Sequence, residues 1–459
     1  MKNFVKSHPV SLVLIIAACG LLLRLLFALP GILDGDHKRY FRPDSEFYLR
    51  AAYSLAEGKG YPGSIRAPGF SAVASGILKT VNSPVAICVF FAVAGALTSF
   101  AVYGAAKEYA GHKAGLLAEL LYAFNLTAIV NAPMLLTDTF FGILTALQLW
   151  LFVLFLKRKQ IHFILLTALI AALGTLIRPI NLLWFLPGIT LIIFTTDLSW
   201  QKKFLCSIFF LLIFWGTITP WMARNAARNA GFCVDVNTGA MLHQNGAMLL
   251  AEVNNSDFEA EKAKMLKDLD QLFSDKKRFP TEKSQVDHRK KEYTRLIMQH
   301  PFVWLKQQFQ WKILLPDVPT GFEIMGVTSA GRGTMGVLAK HGLWAAVNHY
   351  FDGKIYLPLL FLPFLIPTLL TYFGCLFMLV IDVKHIKTKF YELILFLAFV
   401  EYYLFLPGAI TAPRYQIPAL PLAVTLAALG VFHFAKLVSE YRHRQTQKQI
   451  TGSSSEHSA

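Results

Sequence analysis

Charge is what this sequence has little of. Of 459 residues only 16% are Asp, Glu, Lys or Arg, against 55% hydrophobic, which excludes a disordered chain and one clothed throughout in solvated polar surface. Cysteine is scarce as well. Of the five, Cys19, Cys88, Cys206 and Cys375 lie in apolar runs and Cys233 alone falls in a polar region, so neither a disulfide framework nor a thiolate metal centre is encoded. The histidines lack zinc-ligand spacing, and the glycines from Gly321 to Gly336 lack the Gly-Lys-Ser/Thr ending of a phosphate-binding loop. No internal repeat of the kind that marks many transporters is present. The alternating segments of a transmembrane barrel are missing too. The apolar runs are apolar on all sides, so their backbone must be satisfied within each run as helix.

What the chain does have is apolar runs long enough to cross a bilayer, recurring from end to end. It reads as an all-α polytopic membrane protein of about ten spans. They are placed near 10–30, 84–106, 114–132, 138–156, 161–177, 179–196, 204–221, 356–381, 390–407 and 416–436. The stretch from Ala67 to Val81 is apolar but short and contains Pro68 and Gly69, so it reads as re-entrant or interfacial. A basic start, an apolar run and Ile16-Ala17-Ala18-Cys19 imitate a cleavable signal with a lipid-attachment cysteine. The run continues through Leu29, however, which fits an uncleaved span better.

The net charge of +16 is assigned to orientation in the bilayer and not to nucleic acid. Lys2 and Lys6, Lys107 and Lys113, Lys157 to Lys159, Lys202 and Lys203, Lys384 to Lys389, and Arg442 to Lys448 all fall on one side of the predicted spans, the cytoplasmic one. Both termini are then cytoplasmic, in an inner (plasma) membrane. Residues 31–83, 133–137, the Arg178-Pro179 turn, 222–355 and 408–415 are extracytoplasmic. The expected organisation is a membrane module at 1–221 with its first loop at 31–83, a mainly helical loop domain at 222–355, further spans at 356–437 and a disordered tail at 438–459.

Within the loop domain, Ser256 and Glu259 read as a capping box opening a helix to about Phe273. A second helix is expected from Glu282 to His300, ended by Pro301. The following PFVWLKQQFQWKILL, with Trp304, Phe309 and Trp311, suits a helix in the headgroup region. Gly321 to Gly336 reads as a mobile loop.

The residues that carry chemistry gather on the extracytoplasmic side. Asp44, in RPDSEFYLRAAYSLAEGKGY, is either a helix N-cap or a carboxylate placed to act as a base or to position an acceptor. Asp34-Gly35-Asp36 has the spacing by which sugar transferases hold a divalent cation such as Mg or Mn. Asp138, in MLLTDTFFGIL, caps its helix or supplies a second acid. Arg66, Arg178 and Arg414 each sit beside a proline at a membrane boundary, which suits a lipid phosphate, since guanidinium binds phosphate by paired hydrogen bonds. Arg224 and Arg228 are candidates to join them. Arg24 and Glu401, inside spans, are expected to face the interior near each other, and Glu119 to be structural.

PDSEFYLRAAYSLAEGKGY after the first span, RAPGF, LLTDTFFGILTAL, IRP, PWMARN and PRYQIPALPL together resemble the GT-C glycosyltransferases. The nearer likeness is to the branch of lipid A aminoarabinose transferases and protein O-mannosyltransferases. The resemblance implies a helical-bundle enzyme that takes a sugar from a polyprenyl-phosphate carrier and passes it, with inversion, to a lipid, glycan or protein acceptor. It further implies Asp44 as principal catalytic carboxylate, Asp138 as a second acid and Arg66 as a contact to the carrier phosphate, with Arg178 and Arg414 at recurrent boundary positions. Glu46, Tyr48 and Tyr415, beside these residues, are further substrate-binding candidates. The chain has Asp44-Ser45-Glu46 where relatives often have an adjacent Asp-Glu pair. A flippase of lipid-linked sugars and a non-catalytic subunit of a polysaccharide assembly system are the rival readings.

Overall fold

The computed structural model describes residues 9–195, 197–236, 242–326, 333–354, 356–405 and 408–456, and within these only helices and irregular segments occur. Among the described residues six helices are long and apolar enough to cross a membrane, so the chain is a multi-pass membrane protein. The first helices in order are α1 Pro9–Asp34, α2 Ser45–Ala56, α3 Gly69–Thr80, α4 Pro84–Ala110, α5 His112–Ala123, α6 Leu126–Val130, α7 Thr137–Arg158, α8 Ile161–Thr175, α9 Phe185–Thr195 and α10 Trp200–Ala227. Beyond them come α11 Ala247–Asn254, α12 Phe258–Phe273, α13 Glu282–Gln299, α14 Pro301–Gln308, α15 Val318–Met325, α16 Thr334–Tyr350, α17 Tyr356–Phe405 and α18 Leu420–Glu456.

The expected span 114–132 is two helices instead, α5 and α6. Asn125 breaks the run by turning its side-chain oxygen to accept the Ala128 N–H at 3.0 Å, an N-cap in apolar surroundings. At the end of α5 the Ala123 carbonyl is met by Arg24, which is fully buried and donates to Ala123 O at 3.2 Å and, within its own helix, to Gly20 O at 3.0 Å. A cation at a helix C-terminus is also favourable for the helix dipole. Arg24 therefore has a role that does not need Glu401, whose side chain lies outside the described residues. Glu119, one turn before this junction, is buried, and among the described residues neither of its oxygens has a hydrogen-bond partner.

Helix α3 has 12 residues, about 18 Å at 1.5 Å per residue, too short to cross roughly 30 Å of hydrocarbon. In place of the expected spans 161–177 and 179–196 stand α8 and the shorter α9, the latter entered through a 3-10 turn over Pro179–Trp184. The expected spans 356–381 and 390–407 fall within one helical segment, α17. Phe361 in its second turn meets Phe322 at 4.9 Å, and Tyr403 near its end meets Phe141 at 5.6 Å. Helix α18 runs to Glu456, where disorder was expected. From Val431 to Thr451 the chain has no Gly or Pro and many Lys, Arg, Gln and Glu residues, and nothing there stops a helix.

In the loop domain, α11 to α14 enclose Leu249, Leu269, Phe273, Phe279 and Leu296. The cap of α12 is Asp257, which accepts the Ala260 N–H, while Ser256 Oγ donates to Glu261. Helix α13 opens with a capping box of Thr281 and Ser284. Pro301 does not simply end α13. It occupies the first position of α14, where its missing N–H costs nothing. Phe302 is 85% exposed, and Phe309 packs on Phe405 at the end of α17. The expected mobile loop begins instead as the second half of α15, with Phe322 and Ile324 buried. Residues 327–332 of it lie outside the described residues.

Candidate active site

Five short segments converge, carrying Asp44, Arg66, Asp138, Arg178 and Arg414, and each is shaped by its own sequence. At the start of α2, Ser45 Oγ accepts the Arg42 N–H at 2.9 Å and Ser45 N–H donates to Arg42 O at 2.8 Å. The turn is thus closed without Asp44. Although Asp44 stands at the N-cap position, its side chain makes no cap bond. It accepts instead from Arg66 Nη2 at 2.5 Å. The capping reading of Asp44 is overturned by this pair. One turn on, Tyr48 is buried against Phe70 with ring centroids 5.3 Å apart, and Ser71 Oγ donates to Tyr48 O, which fixes α2 on α3. Gly58 and Gly60, at φ 75° and 81°, then end α2 in the left-handed region that glycine tolerates.

Asp138 lies in the first turn of α7, again without a cap bond, and is 3% exposed. Arg178 Nη1 donates to its Oδ1 at 2.5 Å. Arg414 Nε faces Oδ2 at 3.7 Å, a charge contact too long to be a hydrogen bond. Both guanidinium groups flank the Tyr415 ring, at 5.3 Å and 5.2 Å from its centroid. Arg178 is held by its N–H on Gly174 O and by the turn behind it, where buried Asn181 donates to Ala171 O and accepts from the Tyr403 hydroxyl. Arg414 is held through Gln416, whose amide donates to Ile313 O and Leu315 O.

A glycine joins the two halves. Gly69 N–H donates to Leu176 O at 2.7 Å, and a Cβ at this position would lie 2.8 Å from that same oxygen and 2.6 Å from Ile177 Cγ1. Only glycine lets RAPGF lie on LIRP, and so only glycine brings Arg66 toward Arg178. The neighbourhood is electrostatically one. Burial pushes the Tyr48 phenol up to about 12, and Arg66, Asp44, Arg178 and Asp138 all act on it as well. Three arginines meet two carboxylates here, leaving one net positive charge to face an anion. The two acids differ in kind: the Asp44 side chain is 40% exposed and that of Asp138 is 5% exposed. One can meet a substrate, and the other can hold arginines.

Other sequence candidates fall elsewhere. Glu46 is exposed on the far face of α2, where with Arg50, Tyr53, Lys38 and Phe41 it lines a separate open groove of about 790 Å³. Helical spacing puts it there: Asp44 and Tyr48 share a face, and position 46 points away from it. Asp34 pairs with Arg39 and accepts the Asp36 N–H, while Asp36 caps the 3-10 turn His37–Tyr40 through the Lys38 N–H. With both carboxylates committed to protein partners, the pair does not fit a divalent cation, and among the described residues no group of three or more His, Cys, Asp or Glu side chains is arranged to hold a metal ion. Arg224 and Arg228 donate to backbone carbonyls of residues 61 and 63. Gly69, Asn181 and Gln416 shape the site without having stood out in the sequence. In Gly69 the signal was there to read, a Pro-Gly pair between a charged residue and a helix.

Residues 66–222, about a third of the chain, match the family model of dolichyl-phosphate-mannose-protein mannosyltransferases. No curated protein sequence matches the chain. Among solved structures, the oligosaccharyltransferase of Archaeoglobus fulgidus in its apo form matches with a TM-score of 0.51 at 13% identity, over 97% of this chain and 52% of that one. The same enzyme tethered to an acceptor peptide containing the NVT sequon matches with a TM-score of 0.51 at 12% identity, over 96% and 51%. The chain thus spans about half the length of these structures. The likeness to them is one of fold, and the family segment contains Arg66, Asp138 and Arg178. The chain is thus an all-helical multi-pass membrane protein similar in fold to these oligosaccharyltransferases, with a segment at 66–222 that matches the mannosyltransferase family.

Proposed function

We propose that this protein is a glycosyltransferase that takes a sugar from a polyprenyl-phosphate carrier, undecaprenyl phosphate in a bacterial envelope, and transfers it to an acceptor outside the cytoplasm. The observation that carries the reading is the convergence of Arg66, Arg178 and Arg414 on Asp44 and Asp138, with one net positive charge and one accessible carboxylate. A phosphomonoester leaving group needs charge stabilisation more than it needs acid catalysis. The matched family is named for a donor of this class, a polyprenyl-phosphate sugar.

In the proposed step an acceptor oxygen attacks the anomeric carbon and the bond from that carbon to the carrier phosphate breaks, with its electron pair leaving on the phosphate oxygen. Arg66, with Arg178 and Arg414 behind it, neutralises the growing charge. Asp44 receives the proton of an acceptor hydroxyl, or only orients the acceptor where that is itself an ionised phosphate. Asp138 keeps Arg178 and Arg414 in place. Attack opposite the leaving group inverts the anomeric configuration.

The test is direct. Purified protein in nanodiscs is supplied with a polyprenyl-phosphate sugar and a mixed extract of envelope lipids and glycans, and release of free polyprenyl phosphate is followed by mass spectrometry. Release that depends on acceptor and is lost in Asp44→Asn is expected. A wild-type protein that neither binds nor consumes the carrier would sink the reading.

A further inference from the structure

The segment carrying Arg66 has no regular structure of its own between Tyr61 and Ala67, with Gly60 just before it and Gly63 within it at positive φ of 81° and 62°. Its shape is imposed from outside. Arg224, in the last turn of α10, donates from Nη1 to Gly63 O at 2.8 Å and from Nη2 to Tyr61 O at 2.6 Å. The guanidinium lies 4.3 Å from the centroid of the Trp221 ring and 5.7 Å from that of Tyr61, and those two rings meet edge to face at 5.1 Å. Trp221 Nε1 then donates to Val234 O at 2.8 Å, and Val236 N–H donates to Ser64 O at 3.1 Å. The first residues of the large loop are therefore bonded to the backbone two residues from Arg66.

We infer that Arg224 is a positioning residue for the carrier phosphate: by spanning the carbonyls of Tyr61 and Gly63 it sets where Arg66 stands, and with the Val236–Ser64 bond it joins the loop domain and Arg66 into one mechanical unit. This rests on the reading of Arg66 as the phosphate ligand. Arg224 is not itself placed as such a ligand, because both ends of its fork already serve carbonyl oxygens. A planar fork that spans two acceptors is what arginine has and lysine lacks.

The test uses the full chain in nanodiscs with undecaprenyl phosphate as the probe. Arg224→Ala should weaken binding about tenfold, and Arg66→Ala at least as much. The double variant should bind no more weakly than Arg66→Ala alone, because Arg224 acts through Arg66. Arg224→Lys, which keeps the charge and loses the fork, should resemble Arg224→Ala. Additive losses in the double variant, or full rescue by lysine, would overturn the inference in favour of a direct charge contact. Hydrogen exchange gives a second readout that does not need the lipid. Peptides covering residues 61–67 and 234–236 should exchange faster in Arg224→Ala, and unchanged exchange there overturns the inference. If the wild type binds no carrier while exchange rises in the variant, the donor reading fails and the positioning of the segment stands.

Discussion

Asp44 and Arg66 are 22 positions apart in sequence and meet at 2.5 Å, with the carboxylate 40% exposed and the guanidinium 21% exposed. A pair this open adds little to stability. In the proposed function its value lies in what it presents to a substrate. Asp44→Asn is therefore expected to lower transfer on the order of 10²-fold or more, while the thermal midpoint of the purified protein hardly moves. Anomeric analysis of residual product and a melting curve measured on the same preparation decide the matter. A variant that melts early, with activity falling in proportion, would make Asp44 a structural residue.

Asp138 is predicted to behave in the opposite way. Its carboxylate is enclosed, bonded to Arg178 and faced by Arg414, so Asp138→Asn leaves two arginines facing an amide in a confined space. Breaking such a pair costs about 3 kcal/mol. The double change Asp138→Asn with Arg178→Gln removes the unbalanced charge and should regain part of the lost midpoint without regaining transfer. Thermal unfolding followed by tryptophan emission supplies the comparison. If Asp138→Asn alone melts as the wild type does, the carboxylate does not hold the arginines.

These two acids also show what could be read from the sequence. Asp44, Arg66, Asp138, Arg178 and Arg414 are legible because each sits near a Pro or at the start of a helix next to an apolar run, and Tyr48 and Tyr415 because they lie beside them; charge counting expected them on one face. Their division of labour is not legible, because exposure depends on which segments close over which carboxylate. Asp34 and Asp36 carry the right spacing for a cation, but Arg39 and a 3-10 turn, both local, take up their oxygens. Glu46 was two positions from Asp44 and for that reason on the wrong face. The break at Asn125 shows the same limit at the level of the fold: hydropathy sees an unbroken apolar run, and a single capping amide with Arg24 behind it divides the helix.

Gly69 offers a test of how the halves of the site are joined. In Gly69→Ala the new methyl would meet Leu176 O at 2.8 Å, which is backbone and cannot swing aside. The two loops must part by several tenths of an ångström, and the Gly69 N–H to Leu176 O bond weakens. Transfer should fall about tenfold to a hundredfold through misplacement of Arg66 against Arg178, while carrier binding survives in weakened form. An alanine variant with full activity would show that the two loops work independently.

Tyr48 yields a prediction in pH. Burial holds its phenol near 12 against an ordinary value of 10, so the folded protein keeps this proton where the unfolded chain gives it up. Its contribution to stability is complete below about pH 10 and is lost as pH rises from there toward 12. Below pH 10 the hydroxyl stays neutral in the field of the Asp44–Arg66 and Asp138–Arg178 pairs. Tyr48→Phe keeps the ring on Phe70 and removes the hydroxyl dipole from the field of those four charges, so transfer should drop several-fold with no change in the shape of the pH profile between 6 and 10. If the wild type shows an alkaline limb in that range that Tyr48→Phe abolishes, then Tyr48 ionises during transfer and its burial in the active state is less complete than in this structure.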